Sequence, residues 1–186
     1  MAGLEDYIVD NPLNKSNLDA LINSFKKELF VPFVGAGPST VLGLPDWKGL
    51  LTNLCTEFNL KNFRRTKQDN GTVDYPITFS KLFKKLNRKG ITASDFYKKL
   101  FDYIKPTKTG ATWFHLNLVK LFHSFITTNY DSPIEKAFTE HHRKQATKYF
   151  FSCYGINNFK DCIVYLHGHK EIDFCIIKTE DYDYFY

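Results

Sequence analysis

The chain has 186 residues, 43% hydrophobic and 24% charged, with 25 Lys+Arg against 20 Asp+Glu for a formal net charge of +5. That length suits one domain with a continuous core and leaves no room for two full ones, and the composition excludes a disordered chain. The basic residues come in short groups such as Arg64-Arg65, Lys84-Lys85 and Lys98-Lys99, the pattern of solvated helix faces, so nucleic acid is not an expected partner.

Cys55, Cys153, Cys162 and Cys175 form no C-x-x-C pair, so no metal site is expected. No apolar stretch approaches the ~18 residues of a membrane span. Glu5, Asp6 and Asp10 interrupt any secretory leader. The expected setting is the cytoplasm, with free thiols.

In chain order, Leu18, Leu21, Ile22, Phe25 and Leu29 recur at helical spacing and predict an amphipathic helix over 17–29. The run Phe30-Val31-Pro32-Phe33-Val34 is of strand type and stops at Gly35-Ala36-Gly37, after which Trp47, Leu50, Leu51, Leu54, Cys55 and Phe58 restore a helical period. Residues 59–122 read as a helical insertion. Its stripes are Leu82, Phe83, Leu86 and then Phe96, Leu100, Phe101, Ile104, its breaks fall at Gly90 and Pro106, and a loop is expected over 61–76.

Strand signal returns at Ser124 to Thr127, and Ser132-Pro133 looks like the N-cap and first turn of the next helix. Further strands are expected at 148–153, 162–166 and 173–177, with Thr179 as the cap of a helix from Glu180. The chain ends seven residues after Thr179, which reads as a fragment or a shortened fold. Strands alternating with helices predict a single α/β domain over 1–186, Rossmann-like, with a mainly parallel sheet and helices on both faces. Ligands in such folds bind beyond the carboxyl ends of the strands.

Three turns fall there. Gly35 and Gly37 let the backbone turn and approach a pyrophosphate, with Ser39 or Thr40 adding a hydroxyl, although glycine serves tight α/β turns without any ligand as well. Thr127-Thr128-Asn129-Tyr130-Asp131 puts polar groups at the end of an apolar strand, where Asn129 can hold a ribose hydroxyl or a water; the same residues can simply cap a helix. In Tyr165-Leu166-His167-Gly168-His169, either histidine can serve as a base or as a hydrogen-bonded structural residue.

Taken together, Gly35-Ala36-Gly37-Pro38-Ser39-Thr40 with Gly43-Leu44-Pro45-Asp46-Trp47, Thr128-Asn129-Tyr130-Asp131 and Leu166-His167-Gly168 resemble the sirtuin NAD-binding elements. Their spelling and the lack of a zinc module are closest to the sirtuin-like NAD-hydrolysing domains of bacterial antiphage defence proteins. The resemblance implies NAD+ as substrate, no metal, no membrane, and a homo-oligomer or a fused or associated defence partner. It implies Asn129 and His167 as catalytic residues. Ala36, Gly37 and Ser39 would contact the phosphates, with Gly35, Thr40 and Thr128 also expected to bind the cofactor; Asp46 and Trp47 would belong to a mobile cofactor loop, and Asn129 and Asp131 would address the nicotinamide ribose and carboxamide. Thr128 stands where deacylases have Gln, which favours hydrolysis over deacylation. A non-catalytic NAD or ADP-ribose binding module and an NAD-dependent protein deacylase are the alternatives.

Overall fold

The computed structural model describes residues 12–27, 30–105, 110–156 and 159–186. Leu29 and the break at Pro106 lie outside them. The chain divides into two compact units, residues 1–32 and 33–186. The first holds helix α1 (Pro12–Lys26), which starts five residues before the expected 17.

In the second unit, β1 is only Phe33–Val34. The expected strand began at Phe30, but Pro32 has no N–H to give a ladder. A single turn of helix, α2 (Gly37–Thr40), and then α3 (Trp47–Glu57) follow. The loop before α4 (Tyr75–Asn87) is closed by an antiparallel bridge between Lys67 and Val73. It ends two residues earlier than expected because Asp74 Oδ1 accepts from the Ile77 N–H at 3.0 Å and starts the helix. Helix α4 stops at the left-handed Gly90, where the Ile91 N–H returns to the Leu86 carbonyl at 3.2 Å. The insertion continues with α5 (Ala93–Tyr103) and α6 (Trp113–Leu121). It is therefore helical only after its loop.

Strand β2 (Phe125–Thr127), α7 (Pro133–His142), β3 (Thr147–Phe150) and β4 (Cys162–Tyr165) complete a four-stranded sheet, ordered β1-β2-β4-β3 and parallel throughout. The fold is thus α/β and Rossmann-like, as the alternation of periods predicts. Val34, Phe125, Ile163 and Tyr165 share a core with Val119 of α6 and Ile134, Ala137 and Phe138 of α7. A second core joins the leucines of α3, Phe79, Leu82 and Leu86 of α4, and Phe96 and Leu100 of α5 to Tyr130, Cys175 and Ile177.

The expected strand at 173–177 is not part of that sheet. Its core, β6 (Phe174–Cys175), pairs antiparallel with β5 (Gly168–His169) in a separate two-stranded ribbon. Gly168 makes the reversal. At φ +87° it lies in the left-handed region, and a Cβ there would meet the Phe174 carbonyl oxygen at 2.4 Å. The last helix, α8 (Thr179–Phe185), begins one residue before the expected Glu180. Asp181 rather than Thr179 secures its start, its Oδ2 accepting from the N–H groups of Ile177 (3.1 Å) and Lys178 (2.9 Å).

Candidate functional site

The sheet register brings the three turns together. Val34, Thr127 and Tyr165 are aligned partners, each the last residue of its strand, so Gly35, Thr128 and Leu166 leave the sheet at one level. Hydrogen bonds then tie the turns to one another. The Thr127 hydroxyl donates to the Val34 carbonyl (2.7 Å) and accepts from the Asn129 N–H (3.0 Å), while Asn129 Nδ2 donates to the Gly35 carbonyl (3.1 Å). The Leu166 N–H donates to the Thr127 carbonyl at 2.9 Å.

Beyond these strand ends lies a cavity of about 400 Å³, lined among others by Ala36, Asp46, Trp47, Thr128, Asn129, Asp131 and His167. Gly35, Gly37, Ser39 and Thr40 are not in its wall. The Thr40 hydroxyl is engaged with the Gly37 carbonyl at 2.7 Å, and the helix behind the turn is too short to add much dipole. The Asp46 carboxylate caps α3 through the Gly49 N–H at 2.7 Å. Trp47 stacks on Tyr75, with ring centroids 6.0 Å apart.

Several features of this cleft have no internal explanation. Neither Gly35 nor Gly37 needs the left-handed region, and a Cβ on either would meet nothing within 4 Å. The fold does not require glycine at these two positions; open space above the turn is what their choice provides. The buried Ser39 Oγ and His167 Nδ1 have no hydrogen-bond partner, a costly condition that a bound ligand can relieve.

Residues 123–186 match a family model described as SIR2-like domain.

No curated protein matches the chain. The matched segment carries the Asn129 and His167 turns, while the glycine turn precedes it and is joined to it by the Thr127 and Asn129 bonds. SIR2-like domains use NAD, and the match suggests NAD-related activity in general.

Electrostatics within the matched segment follow from burial. Asp131, 7% exposed, is pushed up from 3.8 to about 6 by desolvation, and the nearby Ser39 and Asn129 side chains oppose the shift. Ser39 lies close without closing a well-aligned bond to the carboxylate. Burial also holds the His167 imidazole below its ordinary value, so it is neutral at neutral pH.

His169 lies elsewhere. It is fully buried, with Nδ1 accepting from the Glu171 N–H (3.3 Å) and Nε2 3.1 Å from Ser132 Oγ. An accepting Nδ1 on a neutral ring leaves the proton on Nε2, which donates to the serine. Ser132 is therefore at the N-cap position of α7 without capping it, contrary to its sequence reading. Instead it links the Asn129 turn to the His167 turn from behind. Glu135, His169 and Glu171 also bring donor atoms within 4.8 Å of one another, in the manner of a metal site. Lys148 Nζ, however, stands 2.9 Å from Glu135 and 2.6 Å from Glu171, so an ammonium already neutralises the carboxylates.

Sequence reasoning missed Leu50, Gln68, Val73, Asp74, Tyr75, Pro76, Ile104 and Tyr182 of the wall, and gave no role to Leu44, Pro45 and Tyr130 within the quoted motifs. Most belong to the insertion or to α8 and look like loop or core residues in one dimension. No local signal in Asp181-Tyr182-Asp183 marks Tyr182 as a wall residue.

Proposed function

We propose that the chain hydrolyses NAD+ at the nicotinamide–ribose bond, giving nicotinamide and ADP-ribose, with Asn129 and His167 carrying the chemistry. The observation that supports this best is the shared cleft: residues from three turns far apart in the chain, Gly35 and Asn129 alone being 94 positions apart, line or border it, with unpartnered buried groups and open glycines beside it.

The leaving nicotinamide is already cationic and needs no acid. What the site must supply is binding in a reactive pose, stabilisation of positive charge at the ribose carbon, and a nucleophile. Asn129 is oriented for part of this, because its Nδ2 is held by the Gly35 carbonyl and its Oδ1 is left to accept from a ribose hydroxyl or a water. His167, neutral at neutral pH, takes a proton from that hydroxyl or water. Asp131, ionised above about 6, accepts from the nicotinamide carboxamide. The open turn at Gly35 to Gly37 receives the phosphates at close range. The resemblance to antiphage domains carries the biological role, depletion of NAD during infection, and with it an oligomer or a fused partner.

Nicotinamide release from NAD+ alone tests the reaction. Saturable binding without release makes the protein a sensor or assembly module, and release only with an acylated lysine peptide makes it a deacylase.

A further inference from the structure

An imidazole that works as a base is ordinarily held by a hydrogen bond to its second nitrogen. Among the described residues no hydrogen bond holds either ring nitrogen of His167, and Nδ1 is buried. Rings take its place. Tyr130, Tyr182 and Tyr186 surround the imidazole at centroid distances of 6.5, 5.2 and 6.3 Å. Two of their hydroxyls are engaged with the backbone: Tyr130 Oη donates to the Ile176 carbonyl (2.6 Å) and Tyr186 Oη to the Leu166 carbonyl (2.7 Å).

Tyr182 differs from both. It is the nearest of the three, meets the imidazole edge-on at 80°, and lines the cleft. Its hydroxyl makes no hydrogen bond among the described residues. The helix that carries it is fixed. Asp181 grips the backbone of Ile177 and Lys178, and Glu180 reaches Ser80 at 2.6 Å and Lys84 at 2.8 Å. Tyr182 lies in α8 and Tyr186, four residues on, is its C-cap on the same side.

We propose that Tyr182 is the positioning residue of His167: its ring edge sets the imidazole plane and keeps water from it, and its hydroxyl is left for a ligand in the cleft. The catalytic consequence rests on the proposed NAD hydrolysis; the ring contact does not. The titratable groups facing the imidazole are the three phenols, and Asp46, Asp74 and Asp131 line the same cleft. Burial alone depresses the imidazole, so removing the ring that covers it has one direction of effect.

The test compares Tyr182→Ala, which admits water, with Tyr182→Phe, which keeps the ring. The His167 imidazole is titrated by NMR without ligand, and kcat and KM for NAD+ are measured across pH. Tyr182→Ala raises the imidazole pKa towards its ordinary value, and protonation of His167 then adds to that of Asp131 in the acid limb of kcat/KM. It lowers kcat on the order of tenfold to a hundredfold, more than it changes KM. Tyr182→Phe restores the titration. Where the alanine variant does not fold, Tyr182→Gln, which also admits water, gives the same upward titration. A folded alanine or glutamine variant whose His167 titrates as in the unaltered protein overturns the inference. Absence of NAD turnover in the unaltered protein removes the proposed function, and the ligand-free titration still decides the role of Tyr182.

Discussion

Replacing Asp131 by Asn is expected to stabilise the protein at neutral pH while weakening the cleft. The folded carboxyl titrates at about 6 and an unfolded one near 3.8, because burial penalises the charged form. At roughly 1.4 kcal/mol for each tenfold change in the acid equilibrium, the ionised side chain costs the fold about 3 kcal/mol. The direction with pH follows. Below 3.8 the group is protonated in both states and the cost is absent; it grows through the interval and is complete above about 6. Asn carries no charge and keeps an amide beside Ser39, so Asp131→Asn should gain up to about 3 kcal/mol at pH 7.5 and almost nothing at pH 4. Urea unfolding of both proteins at pH 4, 5, 6 and 7.5 measures the difference. An equal difference at pH 4 and 7.5 would refute the account of Asp131 as a desolvated carboxylate. The same variant should bind NAD+ more weakly, since a costly carboxylate retained in a cleft is the mark of a functional one.

Further outcomes follow from the same geometry. His167→Ala should lose ~10² to 10⁴ in NAD turnover with an unchanged circular dichroism spectrum, and full activity in a folded variant would remove it from the chemistry. In the unaltered protein, kcat/KM for NAD+ should fall as pH drops through about 6, where Asp131 takes up its proton; a flat profile from pH 5 to 8 counts against its ionised form being required. Gly35→Ala and Gly37→Ala should leave Tm unchanged, because the added Cβ meets nothing, yet weaken NAD+ binding. Gly168→Ala should cost about 2–5 kcal/mol from left-handed strain and overpacking against Phe174, read by urea unfolding. In a double-mutant cycle on turnover, Ser132→Ala and His169→Leu should be less than additive if they break the one bond that joins their turns; full additivity would deny the link.

The sequence alone carried the alternation of periods, and with it the α/β class, because Phe125 to Thr127 and Cys162 to Tyr165 are short apolar runs bounded by polar turns. It also marked the Thr127–Asp131 and Tyr165–His169 turns, since polar residues at the end of a buried strand are conspicuous against the core pattern, while Asn129 and His167 within them were named by the resemblance to sirtuins. It could not tell His167 from His169 by type or spacing. The fold separates them, because the left-handed Gly168 reverses the chain and sends one ring to the cleft and the other to Ser132 behind it. Nor could it place 173–177 outside the parallel sheet, as an apolar run carries no mark of its partner strand. Along the chain Tyr75 falls in the expected loop, Tyr130 sits unassigned within its motif, and Tyr182 carries no signal of its own. Their role as cleft walls depends on contacts between residues far apart in sequence, which local propensity does not encode.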